Sequence, residues 1–242
     1  MLKAAIEKIL DIATPIILDR EDGTFAVSAD KVMQICPALD LPETINLTSL
    51  DALVKLVRTE ATKAESPLYI TIPSHLSVTC FGQPNKALRE HRQTYYVVNA
   101  TDVPGWDDRK ELPFEQAAVA LQTRFQEGGD RDYTLRLLSQ ITTGAKVTYN
   151  DIGVATTIVT SKGVSLQENS QIRPLVRLRP YRTFQEITQP EGLFLIRINE
   201  RGISFTEADG GMWKLEARKT IAKYLEDGLE DLVQSGSVVI AL

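Results

Sequence analysis

The chain has 242 residues, 43% hydrophobic and 24% charged, with a net charge of -5 and two cysteines. This is the composition of an ordinary globular protein, long enough to bury a core without disulfides or a structural metal, and its acidity argues against general nucleic-acid affinity. Its longest apolar runs fall far short of the roughly 18 to 20 residues of a membrane span, no secretion-signal core follows the first residues, and cysteines are sparse, so a cytoplasmic protein without a membrane partner is expected.

Leu2, Ile6, Ile9, Leu10 and Ala13 recur at helical spacing, which predicts a first helix that Pro15 ends. Ile16 to Asp19 and Thr24 to Val27 flank Asp22-Gly23, a pair suited to a tight turn, and predict a small β-ribbon. Thr48 to Asp51 reads as a capping box, opening a second helix with Leu50, Leu53, Val54 and Val57 on one stripe. From Pro67 the character changes. Leu68 to Ile72, Leu76 to Phe81 and Thr94 to Asn99 are short runs rich in β-branched and aromatic residues, and they predict strands.

Two helices are predicted next, Pro113 to Gln126 and Asp130 to Thr142, forming a helical hairpin across Gly128-Gly129 with Asp130 as a natural N-cap. Strand-like sequence returns over Ile152 to Thr160, Val164 to Glu168 and Leu175 to Arg179. A β-hairpin follows, with Phe194, Ile196 and Ile198 alternating before Asn199 to Gly202 turns the chain into Ile203 to Thr206. Asp209 is placed to cap a final helix carrying Trp213, Ala217, Ile221, Tyr224 and Leu225, and Ser237 to Leu242 is a closing β run. The expected class is α+β: a mostly antiparallel sheet interrupted by a helical hairpin, with N-terminal helices and a C-terminal amphipathic helix. The expected division is an N-terminal helical region with its ribbon over residues 1–66 and a main domain over 67–242.

Catalytic and metal chemistry find little support. Cys36, Cys80, His75 and His91 are the cysteines and histidines of the chain, and they make no Cys-x-x-Cys or His-x-x-x-His pair. On a strand, His75 and Cys80 point to opposite faces, so Cys80 reads as a buried thiol and no metal or cofactor is expected. No nucleophile elbow, phosphate-binding P-loop or dinucleotide fingerprint is present, and the chain reads as leaning away from an enzyme.

The arginines are the distinctive chemistry. Arg173, Arg177, Arg179 and Arg182 fall within Gln171 to Gln185 with no acidic residue among them, and every cation between Lys162 and Lys214 is an arginine. A planar guanidinium suits fixed pairing with carboxylate or phosphate, and on a strand Arg177 and Arg179 share one face. These side chains either pair internally, with Glu186, Glu200, Glu207 or another subunit, or meet a ligand or partner. Arg173, Arg177, Arg179, Tyr181 and Arg182 are therefore the candidate binding residues. Tyr95, Tyr96, Tyr181 and Phe184 raise the related possibility of aromatic platforms for single-stranded nucleic acid, against which stands ordinary core packing.

The series Arg179-Pro-Tyr-Arg-Thr-Phe184, Glu186-Ile-Thr-Gln-Pro190 and Glu207-Ala-Asp-Gly-Gly-Met-Trp-Lys-Leu-Glu-Ala217 resembles an uncharacterised family encoded by bacteriophages and prophages, with similarity extending over Phe114 to Thr160. The resemblance implies a viral accessory protein acting in the bacterial cytoplasm and supplies no catalytic residue. The leading expectation is a non-enzymatic protein that binds a host or phage macromolecule as a homo-oligomer, its closing β run pairing edge to edge. The alternatives are a single-stranded nucleic-acid-binding protein of phage replication or recombination, and sequestration of an anionic nucleotide.

Overall fold

The computed structural model describes residues 3, 16–20, 23–28, 31–35, 42–61, 66–85, 91–106, 110–143, 147–151, 156–161, 167–171, 173–199 and 201–242. The chain divides into two units, Met1–Pro42 and Glu43–Leu242. In the first, β1 (Ile16–Arg20), β2 (Gly23–Ser28) and β3 (Lys31–Ile35) form an antiparallel three-stranded sheet in the order β1-β2-β3. The ribbon predicted around Asp22-Gly23 thus gains a third strand, while the first predicted helix lies outside the described residues apart from Lys3.

The second unit begins with β4 (Ile45–Leu47) and α1 (Leu50–Ala61), then β5 (Leu68–Ser74), β6 (Ser77–Asn85) and β7 (His91–Asn99). The division at residue 42 replaces the expected one at 66, because β4 pairs in parallel with β7 and α1 buries Leu50, Leu53 and Val57 in the same core as Ile70, Val78 and Val98. Alternation along β5 puts Leu68, Ile70 and Ile72 on the buried face. At roughly 1.5 to 3 kcal/mol per buried aliphatic side chain, this seam fixes the sheet's register. The cap of α1 differs from the predicted box: Ser49 Oγ accepts the Ala52 N–H at 3.3 Å, and the Leu50 N–H donates to Glu186 Oε1 at 2.8 Å. A distant carboxylate therefore completes this helix start.

The chain continues through α2 (Phe114–Thr123), α3 (Arg131–Thr143), β8 (Val147–Asp151), β9 (Thr156–Ser161) and β10 (Gln167–Gln171). The last three form an antiparallel sheet in the order β10-β9-β8, so this stretch holds one more strand than predicted. Next come β11 (Leu175–Leu178), β12 (Gly192–Asn199) and β13 (Gly202–Glu207), an antiparallel sheet with β12 at its centre. Its buried Val176, Leu178, Phe194, Ile196 and Phe205 share a second core with Ala117, Leu121 and Phe125 near α2 and with Leu137, Leu138 and Ile141 of α3.

The chain ends with α4 (Met212–Gly228), α5 (Glu230–Gln234) and β14 (Val238–Ala241). β14 returns to the first core, pairing in parallel with β5 in a five-stranded sheet of order β14-β5-β6-β7-β4. Ile221, Ala222 and Leu225 of α4 cover that sheet's buried face with α1. Asp209 does not cap α4: Gly210 and Gly211 turn the chain with φ of +64° and +81° before the helix starts, and the Asp209 carboxylate takes the Gly211 N–H at 3.0 Å. The architecture is α+β with two helix-covered sheets, and among the described residues no helix is long and apolar enough to cross a membrane.

Candidate functional site

β11 is an edge strand of alternating burial, with Val176 and Leu178 fully buried and Leu175 and Arg177 outward. Its free edge is closed by the connection between α2 and α3. Asp130 N donates to Arg177 O at 2.7 Å, Gln126 N to Arg179 O at 2.8 Å, and Tyr181 N to Arg124 O at 2.9 Å. The approach depends on glycine: Gly129 has φ of +59°, and a Cβ there would collide with the Arg177 carbonyl. Asp130 holds the predicted N-cap position of α3, its backbone oxygen accepting the Thr134 N–H at 2.9 Å, while its carboxylate turns to this edge and accepts the Arg177 N–H at 2.9 Å.

Along this edge the candidate arginines divide into two kinds. Arg173 Nη1 lies 3.7 Å from Asp130 Oδ1, Arg177 Nη1 lies 3.7 Å from Glu191 Oε1, and Arg179 Nη2 lies 3.4 Å from Glu191 Oε2. Three guanidinium groups thus share two carboxylates, and the Arg173 and Arg177 side chains remain 67% and 70% exposed. Tyr133 supports Arg173 twice, accepting its backbone N–H at 3.1 Å and placing its ring 5.1 Å beneath the guanidinium.

Arg179 and half-buried Tyr181 line a cleft of about 480 Å³ with Gln122, Gln126, Arg131 and Thr188. Arg131 is committed to the end of α2, with Nε donating to Leu121 O at 2.9 Å and Nη1 3.5 Å from Glu127. Within that wall Arg179 is tied, among the described residues, to Glu191.

Arg182 is the second kind. Its side chain is 8% exposed, Nη1 lies 2.6 Å from Glu207 Oε1, and Nη2 donates to Pro190 O at 3.3 Å. The guanidinium stacks on the Trp213 ring at 3.7 Å, while Trp213 Nε1 donates to the other Glu207 oxygen at 3.2 Å. Burial lowers its pKa to about 10 against the opposing pull of Glu207 and Asp209, so it stays charged at neutral pH. Gly192 leaves the room, since a Cβ there would press on Nη2. The Arg182 N–H donates to Gln189 Oε1 at 3.0 Å, and His75 meets Trp213 edge-on at 4.7 Å.

This knot ties the segment after β11 to β13, to the first turn of α4 and to the turn between β5 and β6, where Thr183 Oγ1 donates to His75 O at 2.5 Å. Arg182 is a structural fastener, closed to an external ligand. Phe184 and Tyr96, considered above as aromatic platforms, are 1% exposed in the first core. Cys80 is fully buried there, and burial with Glu60 nearby pushes its thiol up to about 12.

Reading the residues in order finds Glu207 as a partner for Arg182, but misses Asp130 and Glu191. Glu186 is taken by the start of α1, and Glu200 lies outside the described residues. The missed signal is register: Gly192 is the cross-strand partner of Leu178, which brings Glu191 beside Arg179. No protein-family profile, curated protein or solved structure matches the chain.

Proposed function

We propose that the chain is a non-enzymatic accessory protein of a phage or prophage, acting in the bacterial cytoplasm, that binds an acidic segment of a host or phage protein along the row Arg173, Arg177 and Arg179. One observation carries the reading: three guanidinium groups share two carboxylates at 3.4 to 3.7 Å, and the Arg173 and Arg177 side chains stay largely exposed. Exposed pairs of this kind contribute about 0 to 1 kcal/mol, so partner carboxylates replace or extend them at little cost and gain forked hydrogen bonds. Tyr181 sits at the end of the row, on the cleft wall with Arg179. The viral origin rests on the motif series from Arg179 to Ala217.

The test is titration of labelled poly-L-glutamate at low salt, read by fluorescence anisotropy. The wild-type chain binds, salt weakens the complex, and the double reversal Arg177→Glu/Arg179→Glu loses at least about tenfold in affinity. Absence of binding, or binding that the double reversal leaves intact, contradicts the reading.

Self-association belongs to the same proposal. The outer edge of β14 has no partner strand among the described residues, and Val239 is 41% exposed there. Such an edge offers unpaired backbone groups to a second copy. A strict monomer by light scattering at micromolar concentration removes this part.

A further inference from the structure

The five-stranded sheet has a second face, turned away from α1 and α4, and its chemistry is independent of the arginine row. Strand register sets out two adjoining rows on it: Val239, Tyr69 and Phe81, then Ala241, Thr71, Thr79 and Val97. Their neighbours on each strand, such as Val238, Ile70, Cys80 and Val98, occupy the buried face. Tyr69 and Phe81 are direct cross-strand partners with parallel rings, their centroids 6.0 Å apart and 10° between planes. The Arg92 guanidinium lies over both, 4.8 Å from the Tyr69 centroid and 5.3 Å from that of Phe81. Nη1 of Arg92 donates to Gly82 O at 3.1 Å, and among the described residues no carboxylate lies within ion-pair distance of it.

The charge distribution is what separates this face from an ordinary solvated one. The chain has 32 acidic residues, yet none falls on β4, β5, β6, β7 or β14. In a protein of net charge -5, the strands of this sheet therefore offer one arginine, stacked aromatic rings and threonine hydroxyls, and no carboxylate of their own. We infer that this face binds single-stranded nucleic acid, with bases stacking against Tyr69, Phe81 and the Arg92 plane, and phosphate oxygens meeting Arg92 and the hydroxyls of Thr71 and Thr79. Unpaired bases expose the π-faces that aromatic rings and guanidinium planes accept. Paired bases in a duplex do not, and a broad sheet face enters neither groove.

The experiment uses the full chain and a labelled mixed-sequence single strand of about 16 nucleotides, with a duplex of the same sequence as comparison. Phe81→Leu and Tyr69→Leu retain apolar volume but remove the ring, and Arg92→Gln removes the charge; thermal unfolding checks that each variant folds. The inference expects the single strand to bind in preference to the duplex at low salt, with about fivefold or greater loss in Phe81→Leu and in Arg92→Gln. Arg177→Glu should leave this binding within about twofold, since its side chain belongs to the other sheet. No binding at low salt, equal binding of duplex, or a loss in Arg177→Glu without loss in the sheet variants overturns the inference. Poly-L-glutamate binding by the arginine row is read separately, so failure of one proposal leaves the other standing.

Discussion

Arg177 and Arg182 stand five positions apart in one arginine-rich segment and do opposite work. Arg177 extends from an edge strand, 70% exposed, sharing Glu191 with Arg179 at long distances. Arg182 lies between a carboxylate and an indole ring with most of its surface removed from water. The difference comes from the backbone: β11 alternates inward and outward through Leu178, after which the chain passes Pro180 and folds around Gln189. A cluster of like residues in sequence is thus one structural fastener and one available row. Burial and the number of shared carboxylates tell them apart.

The largest effect expected is at the fastener. Glu207→Ala leaves the Arg182 charge buried without its partner and deprives Trp213 Nε1 of its acceptor. Breaking a buried pair from one side costs about 3 to 5 kcal/mol, and urea unfolding should show a loss of at least the lower figure. A loss comparable to that of an exposed ion pair would erase the distinction.

Next is the closure of the β11 edge. Gly129→Ala puts a side chain where φ is +59° and the Arg177 carbonyl is already in contact range, so about 1 to 3 kcal/mol of strain is expected. Hydrogen exchange should accelerate at the amides of Gln126 and Asp130, which donate to Arg179 and Arg177. Unchanged protection there would mean that the edge is held by something other than this connection.

Smaller in stability but sharper in function is Glu191→Gln. It releases Arg177 and Arg179 together, changes stability by less than about 1 kcal/mol, and should tighten poly-L-glutamate binding. Weaker binding would show Glu191 to be a part of the partner's contact rather than its competitor.

The smallest effect is a pH dependence at the fastener's rim. Burial, with Lys214 and then Arg182 nearby, lowers the His75 pKa, so the folded chain binds this proton less readily than the unfolded one. The stabilising increment is complete above the unfolded value of about 6.5 and is lost as pH falls through the lower folded value. The gap in unfolding free energy between wild type and His75→Asn should therefore narrow from about pH 8 to about pH 5. A gap constant across that range would place His75 outside the electrostatics of the knot.

Much of the fold was legible where periodicity is strong. The alternation of Phe194, Ile196 and Ile198 marks β12, and the α+β class follows from the mixture of periods along the chain. Local pattern failed where long-range bonds overrule it. Asp130 holds the N-cap position of α3 but spends its carboxylate on the Arg177 N–H, and Asp209, which carries the same sign, is held from α4 by two glycines in the left-handed region. Likewise Glu186 caps a helix that starts 136 residues earlier. The site was half legible. Alternation foretells an outward Arg177, but the burial of Arg182 and the sharing of Glu191 depend on the pairing of β11 with β12 and on the packing of Trp213. Tyr69 and Phe81 are a pair only through cross-strand register, which no single strand displays.

The most direct measurement of the division among the arginines is urea unfolding of Arg182→Ala beside Arg177→Ala under one set of conditions. Arg182→Ala strands Glu207 and empties the space over Trp213, so it should lose about 3 kcal/mol or more, whereas Arg177→Ala should stay within about 0.5 kcal/mol of wild type. Equal losses in the two variants would contradict the account.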